Sequence, residues 1–237
     1  MKEKRHIKAS EFYNGVWSRG LTKGRKDFGD PDNNAAFFEQ YVSAESSMTV
    51  LDVGCGTGNF CLYLRKKGFK RILGVDVSQV ALDEARKKDN CFPFGVMEAG
   101  ALAVASGSVD LVISFDVAEH VREVEAYWLE IHRVLKPGGS YVFQTPNRLF
   151  NVISETIRWK GFGWRPHHPS LQSYGSLNRK LKKAGFNRVM LYKRDPLAHF
   201  NLTRLPGFIP ALMKIMPWKR LPFRLQTHFW GIAFKEK

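Results

Sequence analysis

The stretch Val50 to Phe60, VLDVGCGTGNF, constrains this chain more than any other. An apolar run carries an acid, three glycines follow at alternate positions, and the residues after them can open a helix. Glycine has no Cβ, so Gly54, Gly56 and Gly58 permit positive φ and let backbone approach a ligand closely. In an open parallel sheet the first strand–turn–helix of this kind is the usual floor of the ligand crevice. The surrounding chain keeps the alternation. TVLDVG, RILGVDVS, FPFGVME, VDLVISF and SYVFQTP read as five strands. NFCLYLRKKG, ended by Gly68, SQVALDEARKKD, capped by Ser78, and a segment from about Val121 to Leu135 ahead of Pro137 read as helices. Such an order predicts an α/β fold, a doubly wound and mostly parallel sheet with helices on both faces.

The flanks are less regular. Met1 to about Pro31 reads as irregular, with a short helix at most, despite Phe12, Tyr13, Trp17 and Phe28. NNAAFFEQYVSA then reads as a helix with an Asn33 or Asn34 cap and an apolar face of Ala36, Phe37 and Tyr41. Beyond Asn147 the pattern gives a helix (LFNVISETIRW), a loop (KGFGWRPHHP), a helix from Ser170 to Ala184, and strands NRVMLYK and HFWGIAF around a proline-broken segment. This predicts a single domain in three parts: 1–47 as an N-terminal cap or lid, 48–147 as the cofactor-binding core, and 148–237 as a basic part with a lid and the terminal strands.

No apolar run approaches the roughly 18 residues of a membrane span, and MKEKRHIKAS lacks the apolar core of a secretory signal. Cys55, Cys61 and Cys91 make neither a ligand pair nor an even disulfide set, so a reducing, cytoplasmic setting without a metal site is expected. Charge is unevenly placed. Residues 1–147 hold 19 basic and 19 acidic residues, whereas 148–237 hold 18 basic and 3 acidic, so the whole net charge of +15 lies in the last third. Such a region is either a solvated basic surface or one that faces something anionic.

The spacing at the loop is GxGxG, with Asn59 where a dinucleotide motif would put its third glycine; spacing alone leaves a dehydrogenase open. Asp76, 18 residues after Gly58, ends the second strand where a carboxylate can accept both ribose hydroxyls. Glu98 ends the third strand and Asp52 precedes the glycines. A dinucleotide accounts for the ribose acid only. An ammonium, a sulfonium and an adenine amino group in one ligand account for all three acids, and that ligand is S-adenosyl-L-methionine. The plainer alternatives are that Asp52 and Asp76 cap turns, that Glu98 is an ordinary exposed glutamate, and that Cys55 is a small loop residue.

LDVGCGTG (51–58), GVDVS (74–78), Glu98-Ala99, SVDLVISFDVAEHV (108–121), LKPGG (135–139) and TPNR (145–148), in this order, resemble the class I S-adenosylmethionine-dependent methyltransferases. The branch most similar is that of the small-molecule, quinone-biosynthesis O- and C-methyltransferases. The resemblance implies seven strands in the order 3-2-1-4-5-7-6, with NRVMLYK and HFWGIAF as a terminal antiparallel pair. It also implies Gly54 and Gly56 backbone against the methionyl part, Asp52 near its amino group and the Phe115 carbonyl on its ammonium. Asp76 would hold the ribose, Val77 cover one adenine face, and Glu98 and the Ala99 N–H meet the adenine edge. LAVASGSVD departs from the LPF-like run of relatives before the fourth strand.

Methyl transfer from a sulfonium is an in-line displacement, so a base is needed only for an acceptor of low nucleophilicity. His120, Glu119, Asn147 and the pair His167-His168 fall where such a base would stand, with His120 and His167 the preferred catalytic pair. Neighbouring histidines in an extended loop face opposite ways, so only one of the two is expected at the site. In Leu205–Phe234 bulky apolar residues alternate with cations. This fits a lid over a hydrophobic, lipid-like acceptor, or a surface lying on anionic membrane with Trp218 and Phe223 in the headgroups beside Lys214, Lys219, Arg220 and Arg224. Two rival functions remain. An RNA methyltransferase would explain the charge, but no RNA-binding module or Asn/Asp-Pro-Pro-aromatic motif is present, so a nucleic-acid partner is not expected. A non-catalytic S-adenosylmethionine-binding scaffold would keep the same cofactor residues.

Overall fold

The computed structural model describes residues 8–24, 31–195 and 209–236. Helices α1 (Ala9–Thr22) and α2 (Pro31–Tyr41) precede the alternating core: β1 (Thr49–Val53), α3 (Asn59–Lys66), β2 (Arg71–Asp76), α4 (Gln79–Lys88), β3 (Phe94–Val96) and β4 (Val109–Phe115). A short 3-10 turn (Ala118–His120), α5 (Val124–Val134), β5 (Leu135–Pro146), α6 (Arg148–Arg158), α7 (Tyr174–Lys183), β6 (Arg188–Tyr192), α8 (Ile209–Ile215) and β7 (His228–Phe234) follow. The seven strands lie in the order β3-β2-β1-β4-β5-β7-β6. Strands β1 to β5 are parallel and β7 runs antiparallel to both β5 and β6. This is the expected doubly wound topology.

Period-two side-chain alternation explains why the sheet is covered on both sides. On β1 and β4, Val50, Leu111 and Ile113 point into a layer with Phe37, Phe38, Phe60, Leu64 and Leu82. Their neighbours Leu51, Val53 and Val112 enter the opposite layer with Tyr127, Trp128, Ile131, Leu177 and Leu181. Helices α2, α3 and α4 therefore cover one face, and α5 and α7 the other. Trp128, 1% exposed, fills the second layer. Its truncation to Ala would cost about 3–5 kcal/mol by lost burial and a residual cavity.

Several local expectations are corrected. Among the described residues of the N-terminal region, the stretch expected to be irregular forms α1, which runs for 14 residues and buries Trp17. Helix α2 starts at Pro31, whose fixed φ suits a first helical turn, and not at an asparagine cap. It buries Asn33, Asn34, Phe37 and Phe38, while Ala36 is exposed. The helix expected from about Val121 starts three residues later as α5, after a 3-10 turn at Ala118–His120, and α7 begins at Tyr174 with Ser173 as cap. Trp218 is no headgroup anchor. It is buried, and its indole N–H donates to the Met213 carbonyl at 2.8 Å. Phe223 is half-buried and stacks on Tyr174. Part of the proline-broken segment lies outside the described residues.

Candidate active site

The carboxyl ends of β1, β2, β4 and β5 share one rim of the sheet, and the chain builds two adjoining clusters there. The first is the glycine turn. Gly54, Gly56 and Gly58 all have positive φ, +76°, +54° and +73°. An added Cβ on Gly54 would come within 2.2 Å of Val117, so glycine is required there on two counts. The Gly54 and Cys55 N–H groups donate to the Val75 carbonyl, which ties the turn to β2. Asp76, at the end of β2, accepts from Gly56 N–H at 2.9 Å on one oxygen and from Ser78 N–H at 2.8 Å on the other. Burial pushes its pKa up, and those N–H donors and the nearby His120 pull it back.

Asp52, buried beneath the turn, accepts from the Cys61 thiol at 3.2 Å. Burial raises the pKa of Cys61 and moves the Cys55 thiol to about 11, so both stay protonated small residues at neutral pH. Val77 is half-buried next to Asp76. Glu98 stands exposed beyond β3, joined to Ala101 by a single β-bridge, and Ala99 is half-buried beside it. Phe115 closes β4, its ring edge-on to Phe60 at 5.1 Å.

These residues fit a nucleoside-bearing ligand. The turn presents backbone with no side chain in the way. Each Asp76 oxygen takes one N–H and keeps acceptor capacity for a hydroxyl, since an ionised carboxylate offers about four lone-pair sites.

The second cluster forms where β4 gives way to the 3-10 turn. Asp116 adopts a left-handed conformation, φ +55°, which aspartate tolerates better than most residues. Its N–H is shared between the Gln144 carbonyl and Gln144 Oε1, and this reversal delivers Glu119 and His120 to the rim. Glu119 is 2% exposed and accepts from Thr145 Oγ1 at 2.9 Å. Burial raises its pKa to about 7.

His120 Nδ1 lies 2.6 Å from the His167 carbonyl. A carbonyl only accepts, so Nδ1 carries the proton, and in the neutral ring Nε2 is left as the acceptor. Burial lowers the His120 pKa, which favours that neutral form. Nε2 is 4.0 Å from Glu119 Oε1.

Of the two adjacent histidines, the ring against His120 is that of His168, with centroids 4.9 Å apart. The His167 ring packs between Phe12 and Trp159 instead, and only its carbonyl serves His120. Of the expected pair His120 and His167, the second therefore brings its carbonyl and not its ring to His120. His168 Nδ1 bonds Asn151 at 2.9 Å, and burial moves its pKa to about 3. Asn147 is no base. It caps α6 by accepting from Leu149 N–H and donates to the Arg224 and Gln226 carbonyls.

Helix α1 supplies residues that the sequence pattern did not disclose. Tyr13 sets its ring edge-on to His120 at 5.7 Å, and burial raises its pKa. Asn14 Oδ1 accepts from Ser78 Oγ at 2.8 Å, which docks α1 on the start of α4. The interspersed aromatics of the N-terminal region were the available signal.

The family model of the methyltransferase domain matches residues 28–191. The chain belongs to this family, within the class I S-adenosylmethionine-dependent methyltransferases. It is 28% identical over 165 residues to phosphoethanolamine N-methyltransferase 1 of Arabidopsis thaliana, a match that covers 66% of this chain and 32% of that one. It is 27% identical over 155 residues to a ubiquinone biosynthesis O-methyltransferase of Chelativorans, covering 62% of this chain and 61% of that one. The chain thus spans less than two thirds of the length of either relative. Among solved structures, Haemonchus contortus phosphoethanolamine N-methyltransferase 2, in complex with phosphomonomethylethanolamine and S-adenosylhomocysteine, superposes with a TM-score of 0.69 at 18% identity. That alignment covers 98% of this chain and 61% of that chain, and it shows a shared fold.

Proposed function

We propose that this protein transfers a methyl group from S-adenosyl-L-methionine to a small-molecule acceptor. The observation that carries the reading is the adjacency of the two clusters on one rim: the glycine turn with Asp76, and the buried Glu119 with the half-buried His120, His168 and Tyr13. When bound, S-adenosylmethionine supplies a methyl group already activated on a cationic sulfur.

The chain's own residues then have three tasks. Asp76 holds the ribose hydroxyls, and the backbone of Gly54 and Gly56 seats the methionyl part without Cβ interference. Tyr13 and the Trp159–His168 loop close over the rim and exclude water, which strengthens every polar contact inside. His120 Nε2 takes the proton from an acceptor hydroxyl or ammonium, its tautomer fixed by the His167 carbonyl.

The test is a tritiated-methyl transfer assay on fractionated cell extract, separating lipid, small-molecule, protein and RNA pools. Label is expected in the small-molecule or lipid pool. In a follow-up with that pool, His120→Ala should lower kcat by about 100-fold or more while cofactor affinity stays within a few-fold. His167→Ala should have a much smaller effect, since it keeps the carbonyl. Label in RNA would overturn the acceptor class. Cofactor binding without label in any pool would favour a scaffold.

A further inference from the structure

Half of the exposed large apolar side chains among the described residues fall within one short stretch. Leu149 (49% exposed), Ile153 (54%) and Ile157 (45%) recur every four residues along α6, and Trp159 (43%) and Phe162 (57%) follow in the loop at its end. Residues four apart lie on one face of a helix, so the first three form a continuous aliphatic stripe open to solvent. Arg148, Arg158, Lys160 and Arg165 are exposed around it. The only acid from 148 to 168 is Glu155, which is buried and paired with Arg158. An apolar stripe of this length with a purely cationic rim is what an interfacial helix presents to lipid.

We propose that this face of α6, with the loop that follows it, docks on an anionic lipid bilayer. The apolar side chains enter the headgroup region while the arginines and Lys160 meet lipid phosphates. Charge complementarity decides between occupants. A second copy of the chain in a two-fold contact would set the same four cations against themselves, which opposes association. Single-stranded nucleic acid would match the charge and stack on Trp159 and Phe162, but it would leave the aliphatic stripe of Leu149, Ile153 and Ile157 uncovered, which a lipid surface buries.

The stripe is also held ready. The Asn147 cap fastens the start of α6 to the Arg224 and Gln226 carbonyls, and the Trp164 indole N–H fastens the loop back on Thr156 at 3.0 Å. Among the described residues no helix is long and apolar enough to cross a membrane, so the contact proposed is a peripheral one. Trp159, at the end of α6, touches His167, whose carbonyl serves His120, so the loop that follows the stripe adjoins that rim.

The test is co-sedimentation of the full chain with phosphatidylcholine vesicles, with and without about one third phosphatidylglycerol. Binding is expected to the anionic vesicles only and to weaken as salt rises. The exposed-residue variant Leu149→Ser/Ile153→Ser/Ile157→Ser, checked for wild-type circular dichroism, should lose about tenfold or more in partitioning. Arg148→Gln/Lys160→Gln/Arg165→Gln should lose a similar factor and most of the salt dependence. No binding to anionic vesicles, equal binding to both vesicle types, or full binding by the serine variant would each overturn the proposal. So would a concentration-dependent dimer in analytical ultracentrifugation that the serine substitutions dissolve.

Discussion

Glu119 and His120 are consecutive in the chain, and burial moves their pKa values in opposite directions, the carboxyl up to about 7 and the imidazole down. Both groups therefore tend toward neutrality at the same pH, since a charge on either is poorly solvated. For Glu119 the folded-state value lies above the ordinary 4.5, so folding binds its proton more tightly. Its contribution to stability is complete below about pH 4.5 and is lost as pH rises through about 7. Glu119→Gln removes that loss while it keeps an oxygen for Thr145. The variant should be more stable than wild type by about 1–3 kcal/mol near pH 8.5, and the difference should shrink toward pH 5. Urea denaturation at the two pH values measures this directly. An unchanged difference would mean that Glu119 stays ionised throughout.

At the scale of elements, legibility followed the source of each element's stability. Strands β1, β2 and β4 are apolar runs bounded by glycine or acid, and the sheet buries both of their faces, so VLDVG, RILGV and LVISF could hardly be anything else. Helix α4 showed itself through the Ser78 cap, whose hydroxyl oxygen accepts from Ala81 N–H. Helix α1 was illegible for the opposite reason. ASEFYNGVWSRGLT carries two interior glycines and buries only Trp17, so neither propensity nor periodicity marks it as a helix. Tertiary contacts hold it: Asn14 on Ser78 Oγ and Val80 N–H, Phe12 on His167 and Tyr13 on His120. The same gap hid Tyr13 from the candidate site, whereas Asp76 and the glycines were visible because local spacing alone defines their turn. Asn14→Ala should accordingly loosen α1 without touching the sheet. Amide exchange in residues 9–22 is expected to speed up by roughly tenfold, from the loss of about 1–2 kcal/mol of hydrogen bonding, with β1 and β4 unchanged. Equal acceleration throughout would show α1 to be part of the cooperative core instead.

At the scale of the whole molecule, the cofactor cluster joins parts distant in sequence, so binding at it is coupled to the stability of the domain. The turn after β1 hangs on Asp76 and Val75 of β2, and Ser78 beside them is fastened to α1. A ligand that bridges these pieces binds the folded state and has no matching site on the unfolded chain. At a free concentration 100 times its dissociation constant it stabilises by about 2.7 kcal/mol. For a domain of this size that amounts to a rise in Tm of roughly 5–10 °C. On the proposed reading S-adenosylmethionine and S-adenosylhomocysteine should both produce it, since both join the adenosine meant for Asp76 to the amino-acid part meant for the glycine turn, whereas NAD, which lacks that part and whose motif would put a glycine where Asn59 stands, should not. Asp76→Asn keeps one acceptor oxygen but replaces the other with an amide that cannot accept from Ser78 or Gly56 N–H or from a hydroxyl. The variant should unfold a few degrees below wild type on its own and show little further shift with either nucleoside. Differential scanning fluorimetry with the three ligands on both proteins decides the matter: a shift with NAD would show that the turn takes a dinucleotide, and an undiminished shift in Asp76→Asn would place the ligand's ribose elsewhere than on the acid that ends β2.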